Sequence, residues 1–191
     1  MSVNLENAVN MFKPYGKTPR FGKGGAMTIT EKIDGTNGQI QIKDGQVVCI
    51  GSRNRDIYPD KDNFGFARWV VDNAEGLVQF LGDGVHYGEW AGPGIQKNPL
   101  GLPEKRFFLF NIQRNPLEKF VSMGGLVPDM WPVPLLYYGV DFDVVDEVLQ
   151  DLVRSGTRVV GGSGAAEGVV VSMFGQKFKK TPKNQPKGVQ A

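Results

Sequence analysis

A single cysteine, Cys49, and a single histidine, His86, leave this chain of 191 residues with few of the side chains that bind transition metals or carry redox chemistry. One thiol cannot close an intrachain disulfide or build a thiolate metal cluster, which fits a reducing compartment. Nothing in the chain suggests a zinc site or a Ser-His-Asp set. Long apolar runs are missing too. No stretch approaches the roughly 20 residues of a membrane span, and the first residues have no signal-like apolar core. The expectation is a cytoplasmic protein that does not engage a membrane. Charge of one sign is scarce, since 22 basic and 20 acidic residues leave a formal charge of +2. That is too little to announce a nucleic-acid binder by itself.

Glycine and proline are plentiful, at 26 and 12 residues. Many turns between short elements follow, as in folds where strands dominate over long helices. The length suits one domain. A β-rich α+β class is therefore expected, with a lead-in before about Pro19 that Pro14, Gly16 and Pro19 keep from being helical. The small positive excess is concentrated at the end, where Lys177, Lys179, Lys180, Lys183 and Lys187 have no acidic neighbour. Residues 181–191 contain almost nothing to bury and read as a basic flexible tail.

Period-two alternation over Met27-Thr28-Ile29-Thr30-Glu31-Lys32 and over Gly38-Gln39-Ile40-Gln41-Ile42 predicts two strands flanking the loop Asp34-Gly35-Thr36-Asn37. Asp44-Gly45 then predicts a tight hairpin into a third strand at Val47-Val48-Cys49-Ile50. Apolar residues at intervals of three and four predict one helix over 64–81 and a second over 141–154, the latter with Asp141 or Asp143 as cap and Gly156 as terminator. Short apolar runs at 107–112, 135–138 and 168–173 read as further strands.

The chemistry is concentrated in six short segments. In chain order these are Lys32-Ile33-Asp34-Gly35, Ser52-Arg53, Tyr87-Gly88-Glu89-Trp90, Phe108-Leu109-Phe110-Asn111-Ile112, Glu167-Gly168-Val169-Val170 and Lys177-Phe178-Lys179. A lone Lys-x-Asp-Gly is a weak signal that an ordinary hairpin also produces. All six in this order resemble motifs I, Ia, III, IIIa, IV and V of the covalent nucleotidyltransferases, the superfamily of DNA ligases, RNA ligases and capping enzymes. Thr36-Asn37 after motif I, and Gly88-Glu89-Trp90-Ala91-Gly92-Pro93-Gly94-Ile95-Gln96, are most similar to the RNA ligase 2 type. The resemblance spans roughly residues 30–180.

That resemblance implies an α+β ligase nucleotidyltransferase fold, ATP-grasp-like, with two antiparallel sheets flanked by helices around a nucleotide cleft. Residues 1–180 would form the adenylation domain, with no C-terminal accessory domain after it. The implied activity is an ATP-dependent RNA ligase that uses Mg2+ or Mn2+ and joins RNA ends carrying a 5′-phosphate and a 3′-hydroxyl. Lys32 is the implied nucleophile. A free lysine titrates near 10.4, so something must depress it, and neighbouring cations do so by like-charge repulsion. A bound metal together with Lys177 and Lys179 is implied in that role, and all three meet the charge that grows on a transferring phosphoryl group.

By the same resemblance Glu89 takes the ribose hydroxyls and Glu167 the water shell of the metal. Phe110 stacks on adenine, and Arg53 contacts RNA or phosphate. Glu31, Ile33 and Asn37 complete the nucleotide contacts, while Asp34 or Asn37 holds the 3′ end or the lysine. Phe107 and Phe108 are expected in the core, and His86 as a partly buried structural histidine. A minimal DNA ligase, a capping-type guanylyltransferase and an inactive nucleotide- or RNA-binding module are the alternatives.

Overall fold

The computed structural model describes residues 25–123 and 125–182. The lead-in expected before Pro19 and nearly all of the basic tail, including Lys183 and Lys187, lie outside the described residues.

Nine strands and four helices are described. They form a four-stranded sheet of order β7-β1-β8-β9 and a five-stranded sheet of order β3-β2-β4-β5-β6. In the first sheet β1 (Met27–Lys32) lies between β7 (Leu135–Gly139) and β8 (Gly168–Met173), and β8 pairs with β9 (Gln176–Lys180), all antiparallel. In the second, β2 (Thr36–Lys43) pairs with β3 (Gln46–Gly51) and β4 (Gly84–Ala91), and β5 (Arg106–Leu109) follows β4.

One pairing departs from the expected antiparallel pattern. The three-residue strand β6 (Met130–Pro132) runs parallel to β5 at the sheet edge. Prolines at 128, 132 and 134 mask it in the sequence, and an edge is where a strand tolerates a residue without an N–H.

The helix expected over 64–81 is two helices, α1 (Phe66–Asp72) and α2 (Ala74–Leu81). The break falls at Asn73, not at Gly76. There the backbone leaves the helical region, with φ −114° and ψ 15°, and both the Asn73 N–H and its side-chain amide donate to the Trp69 carbonyl, at 3.1 and 2.8 Å. Gly76 sits inside α2 because the chain passes close by, and a Cβ there would lie 2.4 Å from the Leu126 carbonyl oxygen. A third helix, α3 (Leu117–Ser122), carries no sequence signal that the periodicity picked out. The last, α4 (Val144–Ser155), ends at Gly156 with φ 82°, as its sequence predicts. The run 107–112 is extended only to Leu109, after which the Ile112 N–H donates to the Phe110 carbonyl and the chain turns.

Each sheet buries one face under helices. Phe66, Ala67, Val70, Leu77, Phe80 and Leu81 of α1 and α2 pack on Ile40, Ile42, Trp90, Phe107 and Leu109. Leu149 and Leu152 of α4 pack on Met27, Ile29, Val169 and Val171. The glycine of motif III is explained by the first of these layers. Gly38 and Gly88 are paired on adjacent strands, and a Cβ on either would lie within 2.7 Å of the Phe66 or Phe107 ring. No helix among the described residues is long and apolar enough to cross a membrane.

Candidate functional site

Strand alternation turns the other face of each sheet toward a shared cleft of about 740 Å³. On the first sheet Thr28, Thr30 and Lys32 line it from β1, Val170 and Ser172 from β8, and Lys177 and Lys179 from β9. Register brings these into rows: Thr28, Ser172 and Lys177 stand side by side, as do Thr30, Val170 and Lys179, and Lys32 pairs with Gly168. The opposite wall carries Asn37 beside Glu89, and Tyr87 beside Phe110, whose N–H donates to the Tyr87 carbonyl at 3.0 Å. Arg53 enters from the loop after β3.

Lys32 Nζ forms an ion pair with Glu167 Oε2, across 135 residues of sequence. Neither side chain is sealed off, with 24% and 30% of their surfaces exposed, so both remain open to an entering group. Glu89 is different. Burial pushes its carboxyl up to about 7, against the hydrogen bond from Asn37 and the charges of Lys32 and Arg53, while Glu167 adds to the rise. Glu167 is not itself among the residues lining the cleft; it reaches the cleft through its pairing with Lys32, and lies close enough to Glu89 to act on that carboxyl. Among the described residues no cluster of three or more His, Cys, Asp or Glu side chains forms a protein-only metal cage.

Lys177 Nζ lies over the Phe110 ring, 5.9 Å from its centroid, so the aromatic face is open to the cleft and presently covered by an ammonium. Ile33 is buried, borders the cleft and belongs to the apolar cluster beneath Phe110. Gly35 lets the loop after Lys32 sit directly on β4, since a Cβ there would lie 2.5 Å from the Trp90 carbonyl oxygen.

Two expected residues stand apart. Asp34 lies in the same loop but is not among the residues lining the cleft. Glu31 borders the cleft with its main chain position, yet its carboxylate points to the α4 side of the sheet. There it accepts hydrogen bonds from Thr157 Oγ1 at 2.5 Å and the Arg158 N–H at 2.7 Å. Alternation is the reason: on β1 the residues 27, 29 and 31 are buried and 28, 30 and 32 are not. Burial raises the Glu31 carboxyl, and the bonds from Thr157 and Arg158 oppose that.

Thr28, Thr30, Ser172 and Tyr87 line the cleft and were not singled out from the sequence. The alternation of β1 carried the signal for the two threonines, which share parity with Lys32. His86 is buried on the opposite face of β4 from Glu89, with Nε2 at 2.9 Å from the Gly82 carbonyl oxygen, and burial pushes its pKa down. Phe107 and Phe108 are fully buried, as expected. Two other concavities, one beside β3 and α2 and one between β6, β7 and α4, have walls dominated by apolar residues and lack converging cations.

Comparison with known proteins bears on the family and the fold. A family model described as RNA ligase matches residues 25–182. Among solved structures, an RNA ligase of Naegleria gruberi without ligand superposes with a TM-score of 0.59 at 21% identity, covering 85% of this chain and 51% of that one. A variant of the Naegleria enzyme solved with ATP and Mn gives 0.60 at 22%, covering 84% and 50%. A variant solved with AMP and Mn gives 0.59 at 20%, covering 91% and 57%. The fold is shared, and this chain spans about half the length of those proteins.

Proposed function

The chain belongs to the RNA ligase family, and from that premise we propose that it joins RNA ends at the expense of ATP, carrying AMP on Lys32. The observation that carries this reading is one constellation: Lys32 beside Glu167, the lysines Lys177 and Lys179 in rows along the same floor, and Phe110 opposite them. The Naegleria relatives with ATP or AMP and Mn support the choice of nucleotide and of a divalent ion.

Lys32 loses its proton and its amine attacks the α-phosphorus of ATP. A phosphorus–nitrogen bond forms, the bond to the bridging oxygen breaks, and pyrophosphate leaves. Lys177 and Lys179 meet the negative charge that develops on the phosphoryl oxygens. Phe110 receives the adenine ring once Lys177 leaves its face, and Glu89 with Asn37 accepts the ribose hydroxyls. Glu167, released from Lys32, would hold the divalent ion with Glu89 nearby. When bound, that ion supplies positive charge where the phosphoryl oxygens gather it and favours the neutral amine.

The 5′-phosphate of an RNA end then attacks the lysine-bound phosphorus, and the phosphorus–nitrogen bond breaks to leave a 5′-5′ adenylated strand. A 3′-hydroxyl attacks that 5′-phosphate and AMP departs. Arg53, at the mouth, is suited to a phosphate through its guanidinium fork. Residues 1–180 act in this scheme as the adenylation domain.

The test is covalent labelling with α-radiolabelled ATP and magnesium. The wild-type chain is expected to take label, and to take it from ATP rather than GTP. Lys32→Ala is expected to take none while retaining a cooperative melt. Label on the Lys32→Ala chain would sink the assignment, and preference for GTP would point to a capping-type enzyme.

A further inference from the structure

We propose that Glu31 is a positioning residue that ties the connection 156–167 to β1 and thereby sets Glu167 against Lys32. The proposal rests on the adenylation reading above, and concerns a side chain that points away from the nucleotide.

Strand alternation would put an aliphatic residue at position 31, third in the buried series after Met27 and Ile29. A carboxylate stands there instead, 1% exposed. Such burial is costly unless each oxygen is met by a donor. Both are met from one place: Thr157 Oγ1 donates to Oε1 and the Arg158 N–H to Oε2. Thr157 Oγ1 in turn accepts from the Val159 N–H at 3.2 Å.

These residues open the connection between α4 and β8. Thr157 N–H donates to the Gly164 carbonyl and Ala165 N–H to that of Pro99, so the segment is folded back on itself and docked. It ends at Glu167, one residue before Gly168, which pairs with Lys32. The segment that delivers Glu167 is therefore fastened at its start by the side chain of Glu31 and at its end by the backbone of Lys32. Adjacent residues of β1 grip both ends. Loosening the first releases the partner of the nucleophile without touching any group in the cleft.

The test combines single-turnover label transfer with hydrogen exchange on the full chain. Glu31→Ala is expected to slow transfer at saturating ATP about 100-fold, the scale of a ~1 Å misplacement of a reacting group. The half-saturating ATP concentration is expected to move less than about threefold, since ground-state binding is untouched. Glu31→Gln recovers most of the rate, because its amide oxygen accepts from Arg158 and its amide nitrogen donates to Thr157. Thr157→Val slows transfer and adds little on top of Glu31→Ala, as coupled residues do. Exchange over 157–166 rises in Glu31→Ala while β4 and β5 are unchanged.

A raised half-saturating concentration or a relaxed choice of ATP over GTP, with Thr157→Val silent, would make Glu31 a direct nucleotide contact and overturn the proposal. Unchanged exchange over 157–166 would overturn it as well. A wild-type chain that takes no label refutes the adenylation reading, and the exchange result still decides the tie. Should Glu31→Ala fail to fold, Glu31→Gln and Thr157→Val decide through rate and exchange.

Discussion

In the proposed reaction Lys32 and Glu167 form a pair that has to loosen, because a protonated lysine has no lone pair with which to attack phosphorus. The two substitutions separate these duties. Lys32→Ala removes the proposed acceptor of AMP, whereas Glu167→Ala leaves it and removes the group proposed to hold the ion. Label transfer by Glu167→Ala is expected to fall at least about 100-fold, comparable to the loss of one preorganised electrostatic contact in other active sites. An unchanged rate would take Glu167 out of the site.

Glu89 offers a pH signature at the same scale. Its carboxyl is lifted from the ordinary 4.5 to about 7, chiefly by burial. Between those values the folded chain holds a proton that the unfolded chain has released. The stability this group supplies is therefore complete below about pH 4.5 and is lost as pH rises through about 7. Glu89→Gln cannot titrate, so its melting temperature should fall less than that of the wild type between about pH 5 and pH 8. Parallel melting curves across that range would show that Glu89 is solvated and uncoupled from the fold.

At the scale of elements, two hairpins make the same two-residue turn from different sequences. Asp44-Gly45 has φ 51° and 70°, and Phe174-Gly175 has 51° and 74°. The first pair is favoured in such turns and was legible from the sequence. The second was not, since a bulky residue in the left-handed region is an outlier that only its surroundings sustain. The same contrast holds for helices. The stripe of α4 and its terminating glycine were plain, whereas the α1–α2 break lies in the backbone conformation of one asparagine, with φ −114° and ψ 15°.

The start of α1 is another tertiary decision. Asp62 lies outside the helix, yet its carboxylate accepts from the N–H groups of Asn63, Ala67 and Arg68 at 2.6–3.0 Å. It satisfies donors that the first helical turn leaves open. Asp62→Ala should cost about 1–2 kcal/mol, as lost caps do. At roughly 2–4 °C per kcal/mol for a chain of this size, that lowers the melting temperature by about 2–8 °C. Because α1 packs on Trp90, next to Glu89, a loss of labelling rate larger than the loss of stability would mean that the cap also steadies the cleft wall.

At the scale of the whole molecule, the proposed function depends on two sheets meeting with opposed faces. The cleft collects Lys32, Lys177 and Lys179 from one sheet, and Glu89 and Phe110 from the other, with Arg53 at its edge. The proposed RNA substrate should feel this local field rather than the small net charge. Strand affinity is expected to fall linearly on a log–log plot against salt, with a slope near −0.7 for each phosphate neutralised. Arg53→Ala should flatten the slope by about one such contact. A slope near zero in the wild type would remove the cleft cations from strand binding.

The strand parities, the Asp-Gly hairpin, the end of α4 and the six ordered motifs were all present in the sequence, because each depends on residues a few positions apart. Lys32, Glu89, Phe110, Glu167, Lys177 and Lys179 were nameable through the resemblance of those six segments to the motifs of the covalent nucleotidyltransferases, which no one segment carries alone. What only the tertiary structure decided is how those segments face one another. The parallel edge strand β6 needs β5 as its template. Alternation already puts Glu31 on the face opposite Lys32, and the fold decides that a loop 126 residues away supplies its donors there. Local pattern fixes which face a side chain takes. What waits on that face is set by long-range packing, which no spacing of neighbouring residues encodes.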